Sequence, residues 1–389
     1  MPEKLLGEYA RRYRAELLES VIPFWMTHSL DRECGGYHSC LDRDGTIYDP
    51  RKYVWMLGRE AWMMSRLYNT LEKREEWFDA ARLGVDFIRS HAFDDQGRCY
   101  FSVSRKGAPA GFQRKPYSAV FVMLALLEYA KATGHEEYLD EAQSLFWRID
   151  EWIRDPQLLG RPATAMYALA DVMVQASMAT ELFDASDDAR YGAMMQSCVD
   201  RAFLHYDEAR RVFLEYVNQD GSSLREYTEG RLCSPGHVME VCWFLLHILE
   251  KFPDTKRQAE VLDIMEGALE LGWDREFGGI HYFIDIERKP PIQLEASMKL
   301  WWVHTEALYG LVLAYTLTKD EKWLRWLHKV DAYAFRVFAD PRYGEWFGYC
   351  DRQGNVTHSL KGGAYKGCFH VPRALLFSMQ RIEASSAAV

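Results

Sequence analysis

The sequence predicts an all-α fold, an (α/α)6 barrel of twelve helices with short β-hairpins at one rim. Three observations predict it. An acidic turn motif recurs along the chain, an amphipathic helical stretch precedes each copy, and a helix apolar on nearly all sides follows. The copies begin at Asp31, Asp94, Asp155, Asp207, Asp274 and Asp340, in steps of 63, 61, 52, 67 and 66 residues.

Each unit is read in order. "LLGEYARRYRAELLESVIPFW" from Leu5 has 3.6-residue periodicity with one polar face, which suits an outer helix, and the turn "DRECGGYHSCLDRDG" follows at Asp31. The second unit repeats this with "EEWFDAARLGVDFIRSHAF", the turn "DDQGRCYFSVSRKG" at Asp94 and the apolar "YSAVFVMLALLEYA". The third has the outer "EEYLDEAQSLFWRIDEWI" and only a weak turn near Asp155. The fourth runs "DARYGAMMQSCVDRAFLHY", "DEARRVFLEYVNQDG" and "MEVCWFLLHIL". The fifth runs "KRQAEVLDIMEGALELGW", "DREFGGIHYFIDIE" and "HTEALYGLVLAYTL". The sixth runs "KWLRWLHKVDAYAFRVF", "DPRYGEWFGYCDRQG" and "PRALLFSMQRI". Glycine turns flanked by alternating aromatic and β-branched positions read as short hairpins. Helices without a wide polar face belong in the interior. An open α-solenoid is the competing arrangement, but the count of six and the lack of a polar capping repeat at either end favour a closed ring, one domain over residues 1–389.

Composition narrows the function. With 48% hydrophobic and 14% aromatic residues among 389, the chain can build a large core and an aromatic-lined cavity. A net charge of -10 argues against a phosphate-backbone partner. No segment has the roughly 20 apolar residues of a membrane span. Eight scattered cysteines without C-x-x-C pairs, and no leader ahead of them, lead us to expect reduced thiols, a cytoplasmic location and no metal.

Candidate site residues come from the repeat register. From Asp207 to His237, Asp274 to His304 and Asp340 to His370 is 30 residues each time, and from Asp31 to Arg59 is 28. The four should therefore meet at the N-terminal ends of inner helices. In "CSPGHVME", Ser234 reads as an N-cap, Pro235 as the first helical residue and His237 as a first-turn side chain. The helix dipole disfavours imidazolium there, which would keep His237 a neutral base. Glu240, one turn on, and Glu306 in "WWVHTEAL" should face the same cavity, while Tyr117, Trp301 and Trp302 are candidates either to line it or to pack in the core. His247, His281, His328 and His358 fall elsewhere and carry no role. H-E-x-x-H, G-x-G-x-x-G, the phosphate-cradling loop and G-x-S-x-G are all absent, which leaves acid–base chemistry. An (α/α)6 glycosidase using Glu240 and Glu306 would leave two histidines idle.

The stretches "KYVWMLGREAWM" at Lys52, "YSAVFVMLALLEYAKATG" at Tyr117, "SPGHVMEVCWFLL" at Ser234, "KLWWVHTEALYGLVLAY" at Lys299, "YGEWFGYCDRQG" at Tyr343 and "KGGAYKGCFHVPRALL" at Lys361 together resemble the N-acylglucosamine 2-epimerase family, also called renin-binding proteins. The resemblance implies the same barrel, C2 epimerisation of an acetamido sugar, and catalytic roles for His237, His370, Glu306 and Arg59. Glu240, Tyr117, Trp301, Trp302 and His304 are the expected substrate-binding set. The resemblance also implies a homodimer and no required cofactor, with ATP as an activator near Gly160 and Arg161, the remnant here of a glycine-rich contact. Cellobiose 2-epimerases are similar but carry Asn and His in the third inner helix, where this chain reads "RPATAMYALADVM". Aldose–ketose isomerases of the superfamily, and a binding protein without turnover, are the alternatives.

Overall fold

The computed structural model describes residues 2–186 and 188–387, and the chain folds as the expected double ring of helices. The outer layer begins with α1 (Pro2–Ala15), which runs through a π-helical stretch (Glu16–Val21) into α2 (Ile22–His28). The inner α3 (Val54–Thr70) follows, then α4 (Glu75–His91) outside and α5 (Tyr117–Thr133) inside. Next come α6 (Glu136–Arg154) and α7 (Leu169–Phe183), α8 (Ala189–Phe203) and α9 (Pro235–Lys251), α10 (Thr255–Gly272) and α11 (Trp301–Thr318), and α12 (Glu321–Val337) and α13 (His370–Ala387). Burial follows the sequence pattern. In α11 every residue from Trp301 to Tyr315 is buried, whereas α12 buries one stripe including Trp323, Leu327, Val330 and Ala334. Each fully buried Leu or Val stabilises by about 1.5–3 kcal/mol, so the inner ring is the core. Among the described residues no helix is long and apolar enough to cross a membrane, and all eight cysteines are free thiols.

The turns behave as expected in five units. Hairpins close between Leu30 and Tyr37, Phe93 and Cys99, Trp273 and Ile280, and Ala339 and Trp346, and Tyr206–Asp207 pairs with Val212–Phe213. The weak copy at Asp155 forms no hairpin. It is a 3-10 turn, Pro156–Leu159, whose first residue lacks a ladder N–H and whose entry Asp155 caps by accepting from the Gln157 N–H.

The units are stitched to one another. The short strand entering an inner helix pairs with the next unit's strand: Lys52–Tyr53 with Ser102–Val103, Met166–Ala168 with Tyr216–Asn218, Leu232–Cys233 with Ile284–Asp285, and Lys299–Leu300 with Tyr349–Cys350. Three turn aspartates then latch neighbours electrostatically. Asp31 takes buried Lys52 at 2.9 Å and Arg105 of the following unit at 2.9 Å. Asp274 takes Lys299 at 3.1 Å and Arg352 at 2.8 Å. Asp340 takes Lys361 at 3.1 Å and reaches Arg43 at 2.8 Å, which joins the sixth unit to the first. The ring is closed further inside, where Trp62 of α3 packs on Phe369 and on Phe377 of α13.

Candidate active site

All inner helices enter from the same rim, so their first turns surround one mouth. The start of α9 is built as its sequence reads. Ser234 accepts the His237 N–H at 3.4 Å and Pro235 opens the helix. Gly236 is required by packing: a Cβ there would lie 2.7 Å from the Trp302 ring. That absence of a side chain lets Trp302 seat beside the histidine, with ring centroids 5.0 Å apart.

His237 Nδ1 meets both oxygens of Glu215, at 2.9 and 3.0 Å. Glu215 is itself fixed, since its N–H donates to the Leu232 carbonyl and its carbonyl accepts from Leu169 N–H at the start of α7. Across the mouth, His370 Nδ1 meets Glu306 Oε1 at 2.7 Å, and the other oxygen of Glu306 accepts from Trp243 Nε1 at 2.9 Å. Arg373 lies between Glu306, at 2.7 Å, and Glu240, at 2.6 Å. Each histidine thus has Nδ1 engaged by a carboxylate and Nε2 left for a reacting proton, an orientation that fixes which nitrogen works. Trp302 lies between them, 5.9 Å from His370.

Arg59 comes from α3, where Gly58 permits close approach to α5: a Cβ would be 2.5 Å from the Phe121 backbone. The guanidinium lies 4.1 Å from the Phe121 ring centre and 4.8 Å from that of Trp55, and its buried Nε has no partner among the described residues. Burial draws its pKa down to about 9, against the support of Glu240, so it stays cationic at neutral pH. Arg59, Glu240 and Glu306 are each the sixth residue of their helices, and with Arg373 they make a ring of two positive and two negative side chains.

The two histidines are driven in opposite directions. Burial works against a charged His237, but the Glu215 carboxylate outweighs it, with Glu240 and Glu306 adding, so its pKa rises above the ordinary value. This reverses the expectation of a neutral His237 from the helix dipole, because an ion pair at 2.9 Å exceeds a dipole worth about 0.3–1 kcal/mol. For His370 burial comes first and Arg59 reinforces it, and the pKa falls well below the ordinary range despite Glu240. Paired groups pushed apart in this way are equipped as acid and base.

The remaining expected residues divide. His304 is not brought to the mouth. It is wholly buried, its Nε2 accepts the Ile280 N–H at 2.9 Å, its Nδ1 donates to the Leu300 carbonyl at 2.7 Å, and its ring stacks on Tyr333 of the outer layer. Its pKa falls to about 3 through burial, which suits a structural histidine and corrects its assignment as a substrate contact. Trp301 turns into the wall, edge-on to His370 at 6.2 Å and packed on Tyr349. The Tyr117 hydroxyl donates to Asp171 at 2.9 Å. Gly160 closes the 3-10 turn with left-handed backbone, and Arg161 follows it. Glu240, Glu306 and His370 offer atoms within 4.8 Å of one another that could share a cation, yet Arg373 already satisfies both carboxylates. A cavity of about 270 Å³ at the other end of the inner helices is lined by Arg66, Glu181 and His247, and shares Trp243 and Arg373 with the site.

Sequence reasoning missed Glu215, Asp171, Trp243 and Arg373. For Arg373 a signal existed: His370-x-x-Arg373 repeats the spacing of His237-x-x-Glu240 with the sign of the charge inverted. For Glu215 there was none, since it stands at a bend between two short strands, inside the turn that follows Asp207, where the repeat pattern asks for no carboxylate.

Comparison with known proteins gives a consistent family. A family model described as N-acylglucosamine 2-epimerase (GlcNAc 2-epimerase) matches residues 35–374. The chain is 40% identical over 387 residues to the N-acylglucosamine 2-epimerase of Mus musculus, covering 96% of this chain and 92% of that protein. It is 38% identical over 372 residues to the one of Homo sapiens, covering 92% and 86%. The structure of cellobiose 2-epimerase from Bacillus thermoamylovorans B4167 matches with a TM-score of 0.84 at 23% identity, over 96% of this chain and 100% of that one, which is a likeness of fold.

Proposed function

The chain belongs to the N-acylglucosamine 2-epimerase family, and from that premise we propose that it interconverts N-acetyl-D-glucosamine and N-acetyl-D-mannosamine by moving the proton at C2. The observation that supports this most is the pair of histidines across one mouth, each oriented through Nδ1 by its own carboxylate. In the open-chain sugar the C2 proton is acidic because its carbanion is delocalised onto the C1 carbonyl. His370, kept neutral, accepts that proton through Nε2 and leaves an enolate whose charge lies on the C1 oxygen. His237, held as imidazolium by Glu215, returns a proton to the opposite face, and C2 inverts. The reverse direction exchanges the two roles. Positioned acid–base groups of this kind contribute about 10²–10⁴-fold each.

Arg59 supplies fixed positive charge for the oxygen on C1 as it becomes anionic, a term worth most in a buried site. Glu306 stabilises the imidazolium that forms on His370, while Arg373 holds Glu306 and Glu240 in place through its ion pairs with both. Trp302 forms an apolar wall beside both imidazoles. No step calls for an electron carrier or a phosphate.

The test is proton NMR of the protein with N-acetylglucosamine in D2O, without and with ATP. Loss of the C2 proton signal together with appearance of N-acetylmannosamine is the expected result. No exchange in either condition rejects the reading.

A further inference from the structure

The third inner helix carries an ionisable group that the proton transfer does not use. Asp171 is the third residue of α7, as His237 is the third residue of α9, so the two carboxylate- and imidazole-bearing positions stand at one height on adjacent inner helices. Its Oδ1 is fixed by the Tyr117 hydroxyl at 2.9 Å, and Tyr117 is the first residue of α5, the next inner helix round the ring. Among the described residues the other oxygen of Asp171 has no hydrogen-bond or ion-pair partner, and the residue is half-buried. The base of α7 is tied to the site as well, because Leu169 N–H donates to the carbonyl of Glu215, whose side chain orients His237.

The inner helices follow one another round the ring as α3, α5, α7, α9, α11 and α13. In a ring of six, α7 faces α13, so the helix that carries Asp171 stands opposite the helix that carries His370. A sugar with C1 and C2 held among Arg59, His237 and His370 therefore directs its remaining carbons towards α5 and α7. What those carbons carry is hydroxyl groups, which are donors. What waits there is a carboxylate oxygen, an acceptor, held in place by a phenol.

We propose that Asp171, positioned by Tyr117, is a substrate-binding residue that accepts hydrogen bonds from the hydroxyl-bearing tail of the open-chain sugar, C4 to C6. This rests on the epimerase reading above and adds to it the residues that hold the far end of the substrate. The phenol removes one rotational choice from the carboxylate, so binding loses less side-chain freedom. Burial raises the Asp171 pKa above its ordinary value, and the Tyr117 hydroxyl and then the Arg161 and Lys115 charges oppose that rise.

The experiment compares wild type, Asp171→Asn and Tyr117→Phe on N-acetylglucosamine and on its 4-deoxy and 6-deoxy analogues, with folding checked by circular dichroism and thermal melting. A hydrogen bond to a charged group contributes about 1.5–3 kcal/mol, so KM for the natural substrate should rise about 10- to 100-fold in Asp171→Asn, while kcat stays within about threefold. At least one deoxy analogue should bind about tenfold worse to wild type, and that penalty should vanish in Asp171→Asn. Tyr117→Phe should give a smaller KM rise in the same direction, and it decides the matter if Asp171→Asn does not fold. An unchanged KM, a fall in kcat alone, or a deoxy penalty that persists in the variants overturns the proposal. Wild type inactive on every acetamido sugar instead overturns the epimerase reading beneath it.

Discussion

Replacing Glu215 by Gln tests whether the carboxylate at 2.9 Å is what keeps His237 protonated. The substitution preserves shape and a hydrogen-bond acceptor but removes the charge. Glu215 is the largest influence that raises His237, and burial is the largest that lowers it, so without Glu215 the balance should invert. An opposite charge in direct contact is worth about 1–3 pKa units, and each unit corresponds to about 1.4 kcal/mol. The sign follows from the roles. His237 must be protonated to deliver a proton, so the alkaline limb of the kcat profile reports its loss of charge and lies above the ordinary histidine value in wild type. His370 must be neutral, so the acid limb lies well below that value. In Glu215→Gln the alkaline limb should move about 1–3 units towards acid and the acid limb should stay. Activity should then fall most at alkaline pH, by up to about 10- to 1000-fold, and recover as the pH is lowered. The assay is N-acetylmannosamine formation by NMR from pH 5 to 9. A loss of equal size at every pH, or an alkaline limb that does not move, refutes the argument.

Other outcomes follow from single contacts. His370→Ala should lower kcat at least about 10³-fold with a melting temperature near that of wild type, read by NMR and calorimetry, because the deletion opens onto the mouth. Asp274→Ala leaves Lys299 buried without its anion and should cost about 3–5 kcal/mol in chemical denaturation, much of which Lys299→Met in the same chain should restore. Burial raises Glu60 to about 8 from 4.5, with only the Ser29 hydroxyl opposing, so its ionisation drains stability as pH rises through that window. Glu60→Gln should therefore melt increasingly above wild type from pH 4.5 to 8 and gain nothing further beyond, followed by thermal melts. His304→Ala should lower the melting temperature but leave KM unchanged, since both ring nitrogens serve backbone groups.

The architecture was legible because it is written six times. Helical periodicity, apolar faces and turn aspartates are local signals, and repetition averages out the noise in each. What failed was local too: Asp155 stands before a proline, and one residue type was enough to replace a hairpin by a 3-10 turn. The latches were not legible, because Arg43 and Asp340 lie 297 residues apart and only ring closure brings them together.

The site shows where register reasoning stops. Counting 30 residues from each turn aspartate placed His237, His304 and His370 at one height, but height is only one coordinate of a helical side chain. Each residue turns the side chain by about 100°, and α11 begins at Trp301, so His304 is its fourth residue where His237 is the third of α9. In α11 the imidazole is turned from the bore to the outer layer, where the Ile280 N–H and the Leu300 carbonyl fix it. The helix dipole argument for His237 failed for a related reason. It used only what the helix itself supplies, whereas the charge that decides the protonation comes from Glu215, 22 residues earlier on another element. Residue types and spacing can therefore nominate an acid and a base, but which is which is set by neighbours that only the fold supplies: Glu215 beside one histidine, Arg59 near the other.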